Sequence, residues 1–321
     1  MTCINRKKQG GIVLRADRHR KKHHKKRRWF VRLLLLFGLI AVYSYFQFQA
    51  GLEGSQEETG ESKIDYTFHG NRDENGYTNI LILGSDARGE ENSRADTIMI
   101  ASYNPDKGTY KLASIMRDTY ISIPGHGNNK INSAFASGGP ELVRKTIKEN
   151  FDIDLQYYAI IDFQGFVRLI DTAFPQGVEI EVEKSMSKNI GVTLEPGIQA
   201  LDGEHLLGYV RFRQDAVGDF GRVERQQKVV KELGKQLASV QTIPKLPKLI
   251  GVVIPYINTN MDTGDILYMA RGFLSEEGRS INTLRIPVEN SYQNQRISGA
   301  GAVLAIDLEE NKRALNEFLA N

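Results

Sequence analysis

The feature that most restricts how this chain can fold is Leu33–Leu52, twenty residues without one charged side chain. A helix of that length spans about 30 Å, the thickness of a bilayer's hydrocarbon core. Aromatic residues cluster at both ends, as they do at membrane interfaces; they are Trp29, Phe30, Tyr43, Tyr45, Phe46 and Phe48. The segment therefore predicts one transmembrane helix at 33–52. The alternative, a buried helix of a soluble protein, rarely combines so long an uncharged run with so basic a flank.

The charge is distributed very unevenly about this segment. Residues 1–32 carry thirteen Lys or Arg and one acid, a balance of +12, whereas the remaining chain has 29 basic and 38 acidic residues, a balance of −9. By the positive-inside rule, residues 1–32 form a cytoplasmic tail, and everything after the span is extracellular. The protein should thus be a single-pass protein of the cell membrane.

Two other interpretations of the N-terminal region fit less well. A cleaved signal peptide is disfavoured by the long charged region and by 47–50, which lacks the small-x-small pattern of a cleavage site. A nucleic-acid-binding arm at His23–Arg28 needs no hydrophobic span directly behind it. We therefore expect the bilayer as a partner and no nucleic acid.

The composition excludes several other classes of protein. The chain is 40% hydrophobic and 9% aromatic, too rich in apolar residues for a disordered protein. Cys3 is the only cysteine in the sequence, so neither a disulfide scaffold nor a thiolate metal cluster is available. Residues 53–76 are polar and predict a juxtamembrane linker, and 77–321 predict one extracellular domain.

Strand and helix patterns alternate along that domain. Predicted strands are 79–83, 97–103, 110–116, 157–161, 178–182 and 282–287. Predicted helices are 138–151, 163–173, 222–240, one near 245–257, 264–275 and one from 307; segment 206–213 is a helix end or a strand. This alternation predicts an α/β fold, a three-layer α/β/α domain with a central mixed sheet.

Charged residues gather where the first three strands begin or end. Ser85–Arg88 follow the first strand, Arg94–Thr97 precede the second and Arg117–Thr119 follow the third. Loops at strand ends form the ligand crevice of an open α/β sheet. A cluster of two carboxylates and three guanidinium groups suits a pyrophosphate arriving with Mg²⁺; the residues are Asp86, Asp96, Arg88, Arg94 and Arg117. Surface ion pairs and turn-forming aspartates are the alternative.

Other kinds of chemistry find little support. Arg211 and Arg213 would share one side of an extended segment, whereas Glu224 reads as part of a solvated helix face. His69, His126 and His205 lack metal-ligand spacing, and the sequence has no Gly-x-Ser-x-Gly or Walker motif. Zinc and serine-nucleophile catalysis are therefore not expected.

These segments together resemble the LytR-CpsA-Psr family of bacterial cell-envelope proteins. The matching motifs span 77–230: Gly84-Ser85-Asp86-x-Arg88, Arg94-x-Asp96-Thr97, Ser114–Tyr120 with Ile123-Pro124-Gly125, Lys130-Ile131-Asn132-x-Ala134, Gly138-Gly139-Pro140, Leu201–Glu204, Tyr209-Val210-Arg211-x-Arg213 and Gly218-Asp219-x-Gly221-Arg222-x-x-Arg225-Gln226-Gln227. One departure is Met116, where the family commonly has a proline before the Arg-Asp pair.

The resemblance implies a phosphotransferase that moves a teichoic acid, a capsule or a similar glycopolymer from a polyprenyl-pyrophosphate carrier to a peptidoglycan hydroxyl. It implies Mg²⁺, with Mn²⁺ as the other option, on Asp86 and Asp96. The implied pyrophosphate-binding residues are Arg88, Arg94, Arg117, Lys130, Arg211, Arg213, Arg222 and Gln227, and the implied catalytic residues are Arg94, Arg117, Asp118, Arg211 and Arg213. The family's lipid tail runs through an apolar tunnel between sheet and helices.

Three rival functions remain at this stage. A polyprenyl-pyrophosphate pyrophosphatase or phosphatase would use the same residues with water as the acceptor. A non-enzymatic, lipid-binding envelope scaffold would bind the carrier without turnover. A transcriptional regulator, suggested by the basic tail and by the family's older naming, would bind duplex DNA with sequence preference, and we consider it the least favoured.

Overall fold

The structure is a computed structural model of the chain, and it describes residues 16–56, 64–74, 76–85, 95–104, 107–237, 246–273 and 281–320. It divides into two units, Met1–Gln47 and Phe48–Asn321. In the first unit, the described residues belong to one helix, α1 (Ala16–Gln56), whose last turns enter the second unit. Arg32–Glu53 is long and apolar enough to cross a bilayer, within one residue of the predicted span at either end. This helix supports a single-pass membrane anchor.

Within its described residues, the second unit contains three sheets with helices packed on them. Its strands are β1 (Thr78–Ser85), β2 (Ala95–Asn104), β3 (Thr109–Ile115), β4 (Thr119–Ile123), β5 (Gly127–Lys130), β6 (Tyr157–Asp162), β7 (Val178–Val182), β8 (Gly197–Leu201), β9 (Ile257–Thr259), β10 (Ile281–Ile286), β11 (Tyr292–Ile297) and β12 (Gly301–Ile306). The helices that follow α1 are α2 (Asn132–Phe151), α3 (Phe163–Ala173), α4 (Gly203–Arg211), α5 (Asp219–Leu237), α6 (Leu246–Val253), α7 (Thr263–Phe273) and α8 (Leu308–Ala320).

The main sheet has six strands in the order β10-β3-β2-β1-β6-β9. Strand β1 runs parallel to β6 and antiparallel to β2, and β3 runs parallel to β10, so the sheet is mixed. The predicted strands at 79–83, 97–103, 110–116, 157–161 and 282–287 all belong to it. The fold class, a mixed sheet in an α/β fold, is thereby confirmed.

Each face of this sheet is covered by a different layer of helices. On one face, Leu81, Leu83 and Ile100 pack with Val143 and Ile147 of α2, and all five are almost fully buried. On the other face, α3, α4 and α5 pack with the two-stranded sheet β7-β8 around a second apolar cluster. The site described below lies in this second layer.

Helix α2 contains a break at its glycine pair. Gly138 and Gly139 leave the helical conformation, and Pro140 begins the regular helix that ends at Phe151. Gly139 has a φ of +61°, and a Cβ there would lie 2.9 Å from the ring of Tyr66. Both facts require glycine at this position, because a side chain would be strained and would collide.

The four-stranded sheet β11-β12-β4-β5 is absent from the sequence-based prediction. Two of its strands are short or polar: β5 reads Gly-Asn-Asn-Lys, and most of β11 is exposed. Such segments carry little of the alternating apolar pattern by which strands are recognised.

The predicted linker at 53–76 is partly structured. Helix α1 extends to Gln56, and Tyr66 and Phe68 pack against the main core. The backbone of Asn71 donates a hydrogen bond to the carbonyl oxygen of Leu155 at 3.0 Å. Residues 64–74 therefore form part of the domain surface.

Candidate active site

The register of the main sheet gathers charged residues at one edge. Ser85, the last residue of β1, lies opposite both Ala95 of β2 and Asp162 of β6. Asp96 is thus brought to this edge, as the strand-end argument predicts, and Asp162, which was not predicted, lies there too. Segment 86–94 joins β1 to β2 there but lies outside the described residues, so the predicted roles of Asp86, Arg88 and Arg94 stay predictions.

A cavity of about 250 Å³ opens at this edge, between the sheet and helices α3, α4 and α5. Apolar residues form one part of its lining: Ile82, Met99, Phe166, Leu207, Val210, Val229, Val230 and Leu233. Polar and charged residues form another: Asp96, Asp162, Lys188, Arg211, Arg213, Gln214, Arg222 and Gln226.

The polar and apolar parts follow one another along the elements that line the cavity. On α5, the lining residues run from Arg222 and Gln226 to Val229 and Leu233, one turn after another. On β2, Asp96 is followed by Met99, which lies further from the sheet edge. The cavity is therefore amphiphilic, with a charged mouth at the sheet edge and an apolar interior.

Arg117 lies behind the mouth and is held by three carboxylates. Its Nη1 donates to Asp96 Oδ1 at 2.6 Å, and its Nε donates to Asp219 Oδ2 at 2.9 Å. Asp118 Oδ2 lies 3.4 Å from the same Nε, and Asp118 Oδ1 forms an ion pair with Lys130 Nζ at 2.7 Å. Predicted residues Asp96, Arg117, Asp118 and Lys130 thus form one network.

Burial would lower the pKa of Arg117, but the carboxylates outweigh that effect. The hydrogen bond and charge of Asp96, with the charges of Asp219 and Asp118, raise the pKa above its ordinary value. Arg117 is accordingly a permanent cation. Within the described residues it does not line the cavity, so its contact with the mouth runs through Asp96.

Arg222 shows the opposite balance. Arg222 is only 5% exposed, and this burial is the main cause of its lowered pKa. The positive charges of Arg117 and Arg213 lower its pKa further. Its Nη2 lies 3.2 Å from Asp219 Oδ2 and 3.3 Å from the carbonyl oxygen of Asp96. Its Nε has no hydrogen-bond partner within the described part of the chain. An anion bound at the mouth would stabilise this buried cation.

Arg211 and Arg213 both line the mouth, although the segment is not extended throughout as the spacing argument assumed. Helix α4 ends at Arg211, the next residue is extended, and the side chain of Phe212 turns into the core. The guanidinium of Arg211 lies 4.5 Å from the ring centroid of Phe163. Neither arginine has a carboxylate within ion-pair distance among the residues described. Both are available to an incoming anion.

Buried Arg225 supports the segment that carries Arg213. Its Nη2 donates to the carbonyl oxygen of Phe212 at 2.6 Å, and its Nη1 lies 3.2 Å from Asp215 Oδ2. The second arginine of the Arg222-x-x-Arg225 motif is thus a scaffold residue, while the first lines the cavity.

The glutamine pair corrects one assignment. Gln227 points away from the cavity and donates to Ser114 Oγ at 3.0 Å and to the carbonyl oxygen of Leu284 at 2.9 Å. Its neighbour Gln226 lines the cavity and donates to Thr97 Oγ1 at 3.0 Å. Adjacent helical residues differ by about 100° in direction, and in this pair only Gln226 faces the site.

Close packing between Gly84 and Thr97 explains why glycine is needed at position 84 of the motif. A Cβ at Gly84 would lie 2.9 Å from Cβ of Thr97, which is the residue that accepts the hydrogen bond from Gln226. Glycine at 84 therefore allows β1 and β2 to approach at the mouth.

Several lining or supporting residues were missed by the sequence-based reasoning, and Asp219 and Lys188 are two of them. Asp219, the first residue of α5, binds both Arg117 and Arg222. Its signal was present in the Gly-Asp-x-Gly-Arg motif. Lys188 lies in a connection without a recognisable motif, and its position follows only from the fold. As predicted, Glu224 is an exposed residue; it pairs with Arg285 at 3.5 Å.

The predicted metal site stays a prediction, because Asp86 lies outside the described residues. They contain no group of three or more His, Cys, Asp or Glu arranged to hold a metal ion. Of the two predicted ligands, the structure describes Asp96, whose side chain is 40% exposed at the mouth and bound by Arg117 through Oδ1. Mg²⁺ is commonly held by one or two carboxylates together with substrate phosphates and water. This donor set fits an ion that binds with a pyrophosphate.

Comparison with protein families gives a match over most of the chain. The model described as the LytR_cpsA_psr family matches residues 42–316. The regulatory protein MsrR of Staphylococcus aureus (strain COL) is 42% identical over 280 residues, which are 87% of this chain and 85% of that protein.

A second relative carries a name that states an activity. The polyisoprenyl-teichoic acid–peptidoglycan teichoic acid transferase TagU of Oceanobacillus iheyensis is 28% identical over 322 residues, 94% of this chain and 96% of that protein. Among solved structures, TagT bound to LI-WTA is 25% identical, with a TM-score of 0.62, over 82% of this chain and 96% of that one.

Proposed function

This chain belongs to the LytR-CpsA-Psr family, and from that premise we propose that it is a transferase that attaches an anionic glycopolymer to peptidoglycan. The donor is a teichoic acid, a capsule or a similar polymer linked to polyprenyl pyrophosphate, and the acceptor is a peptidoglycan hydroxyl. The name of TagU and the LI-WTA bound to TagT support a teichoic-acid-type polymer.

The single observation that carries this proposal is the amphiphilic cavity. Its apolar interior suits the first part of a prenyl chain, because burying apolar surface is favourable at roughly 25 cal/mol per Å². Its mouth offers Arg211, Arg213 and Arg222, and guanidinium groups are well matched to phosphate oxygens. A lipid pyrophosphate is a ligand that needs both environments side by side.

The proposed reaction is a displacement at phosphorus. The acceptor hydroxyl attacks the phosphorus that carries the polymer, and a new phosphodiester bond forms. The bond from that phosphorus to the bridging oxygen of the pyrophosphate breaks, the hydroxyl proton is released, and polyprenyl phosphate leaves. No ATP is required, because the donor's anhydride supplies the energy.

Phosphoryl transfer asks the protein mainly to position groups and to stabilise charge. We assign pyrophosphate binding at the mouth to Arg211, Arg213 and Arg222, with Gln226 taking the place predicted for Gln227. Arg117 positions Asp96 and Asp219, and Lys130 holds Asp118. Arg88 and Arg94, on segment 86–94, stay predicted pyrophosphate ligands.

Asp96, together with Asp86, would hold Mg²⁺ or Mn²⁺. When bound, such an ion neutralises charge on the pyrophosphate oxygens. The ion pair with Arg117 holds this carboxylate in a fixed position beside the mouth.

We further propose that residues 1–32 lie in the cytoplasm and that the domain lies outside the cell. The +12 charge of the tail supports this orientation. Anchoring keeps the domain next to a carrier lipid that stays in the membrane.

The test incubates the full chain, in detergent micelles, with a lipid-pyrophosphate-linked oligosaccharide, peptidoglycan fragments and Mg²⁺. Mass spectrometry should find the oligosaccharide phosphate attached to peptidoglycan, together with polyprenyl phosphate. The variant with both Arg211→Ala and Arg213→Ala should lose nearly all product, and Arg313→Ala, a surface substitution on α8, should retain it.

Two outcomes would overturn the proposal. Release of polyprenyl phosphate with water as the acceptor, and no conjugate, would indicate a pyrophosphatase. Tight binding of the donor without any turnover would indicate a scaffold.

A further inference from the structure

Lys188 reaches the cavity from a wall that the motifs do not include. It lies on the connection between β7 and β8, residues 183–196, whereas the arginines of the mouth come from the end of α4 and from α5. Lys188 and the neighbouring Asn189 both line the cavity. The mouth is thus bordered by cations from the β7–β8 connection as well as from α4 and α5.

The connection that carries Lys188 is fixed in place. Met186 and Leu194 pair through two backbone hydrogen bonds of 2.9 and 2.8 Å, and both side chains are almost fully buried. Val192 packs so closely on Gly208 of α4 that a Cβ at position 208 would collide with it. Because α4 ends at Arg211, this contact ties the position of Lys188 to that of the mouth arginines.

The lysines around this connection differ in their partners. Lys184 forms an ion pair with Asp215 at 3.2 Å, and Lys228 of α5 forms one with Glu183 at 2.9 Å. Lys188 is exposed, and no carboxylate among the described residues lies within ion-pair distance of it. Its charge is therefore uncompensated where it borders the cavity, like the charges of Arg211 and Arg213.

We infer that Lys188 is a further substrate-binding residue, which contacts a phosphate of the lipid-linked polymer at the cavity mouth. This inference rests on the proposed function. A lysine provides a mobile point charge, which suits a phosphate whose position varies with the polymer. Phosphate at the mouth has two sources, the pyrophosphate of the carrier and the phosphates of the polymer's repeating units.

The test uses the full chain in detergent micelles with two probes, geranylgeranyl pyrophosphate and a lipid-free glycerol phosphate oligomer. Isothermal titration calorimetry at low salt compares wild type with Lys188→Ala, Lys188→Arg and a control, Lys235→Ala. Lys235 is a suitable control because it is 61% exposed on α5, pairs with Glu232 and does not line the cavity.

Lys188→Ala should weaken binding of at least one probe about 3- to 5-fold, the range of an exposed ion pair, while Lys188→Arg and Lys235→Ala stay near wild type. Weaker binding of geranylgeranyl pyrophosphate would show that Lys188 contacts the phosphates of the carrier. Weaker binding of the oligomer alone would show that it contacts the phosphates of the polymer. In the transfer assay, Lys188→Ala should raise KM and leave kcat unchanged.

Binding of both probes by Lys188→Ala with wild-type affinity would overturn this inference and leave the proposed function intact. Failure of the wild-type protein to bind either probe would contradict the proposed function, and the inference with it.

Discussion

Arg117 fixes the positions of two carboxylates near the mouth, since it binds Asp96 and Asp219 through different nitrogens of one planar guanidinium group. A lysine has one nitrogen at its tip and cannot hold both carboxylates in the same geometry. Arg117→Lys should therefore lower kcat/KM for transfer by about 10- to 100-fold, at the lower end of the loss of an electrostatic catalytic group. Steady-state kinetics across a Mg²⁺ titration would measure this, with Arg313→Lys as the control. Unchanged kcat/KM would contradict the positioning role of Arg117.

The neighbouring glutamines give a matched pair of substitutions with opposite expected effects. Gln226→Ala removes a cavity-lining amide together with its bond to Thr97 Oγ1, and should lower transfer several-fold. Gln227→Ala removes a side chain that bonds Ser114 and Leu284, and should lower the free energy of unfolding by about 1 kcal/mol, the usual value of a hydrogen bond, with little change in kcat. Urea denaturation and transfer rates on both variants measure this. The reverse pattern would show that the two residues were assigned wrongly.

Some of these residues could be predicted from the sequence and others could not. Arg211 and Arg213 both line the mouth, but the extended segment assumed for their spacing is wrong at Arg211, which is the last residue of α4. The choice between Gln226 and Gln227 depends on the rotation of α5, which two adjacent identical residues do not reveal. Lys188 is brought to the mouth by the packing of a loop on α4, a long-range contact without a local pattern.

At the scale of elements, apolar periodicity decided what could be predicted. Helix α3 and strand β7 have the predicted bounds, 163–173 and 178–182, because their apolar residues recur at the spacing of a helix and of a strand. Strand β7 pairs with β8 in a separate sheet, which its own alternation could not indicate. The four-stranded sheet was missed because much of it is short or polar.

One carboxylate, that of Glu141, links α2 to segment 64–74. Glu141 of α2 binds Arg144 through both oxygens, at 2.7 and 2.8 Å, and accepts the backbone N–H of His69 at 3.0 Å, so it ties segment 64–74 to the helix. Burial is the largest single effect and raises the pKa of this carboxyl. The hydrogen bonds from Arg144 and from the backbone of His69, together with the charges of Arg144 and Lys145, outweigh it and lower the pKa to about 2.

This lowered pKa predicts how stability depends on pH. The stabilisation from ionised Glu141 is fully present above the ordinary glutamate value of 4.5 and is lost as the pH falls towards about 2. Glu141→Gln should therefore unfold at a lower temperature than wild type at pH 6, and the difference should shrink between pH 4.5 and about 2. Thermal unfolding followed by circular dichroism measures this. A difference that stays constant over this range would contradict the assigned ionisation.

At the scale of the whole molecule, the +12 tail and the apolar helix predict that the N-terminus lies in the cytoplasm. Labelling of a single cysteine can test this orientation in the membrane. Cys3 is the only cysteine in the sequence and lies in the predicted cytoplasmic tail. A membrane-impermeant maleimide should label it only after cells are permeabilised. A Cys3→Ser chain with Ser298→Cys, an exposed position of the domain, should be labelled in intact cells. Labelling of Cys3 in intact cells would reverse the proposed orientation.

The central claim is that one cavity holds a lipid pyrophosphate, with its chain inside and its phosphates at the mouth. Photo-crosslinking with a polyprenyl pyrophosphate that carries a benzophenone on its first prenyl units, next to the pyrophosphate, tests this most directly. Mass spectrometry should place the crosslinks on cavity residues of α3 and α5, such as Phe166, Val230 and Leu233, and added unlabelled carrier should suppress them. Crosslinks confined to other surfaces of the domain, or unaffected by unlabelled carrier, would contradict the account.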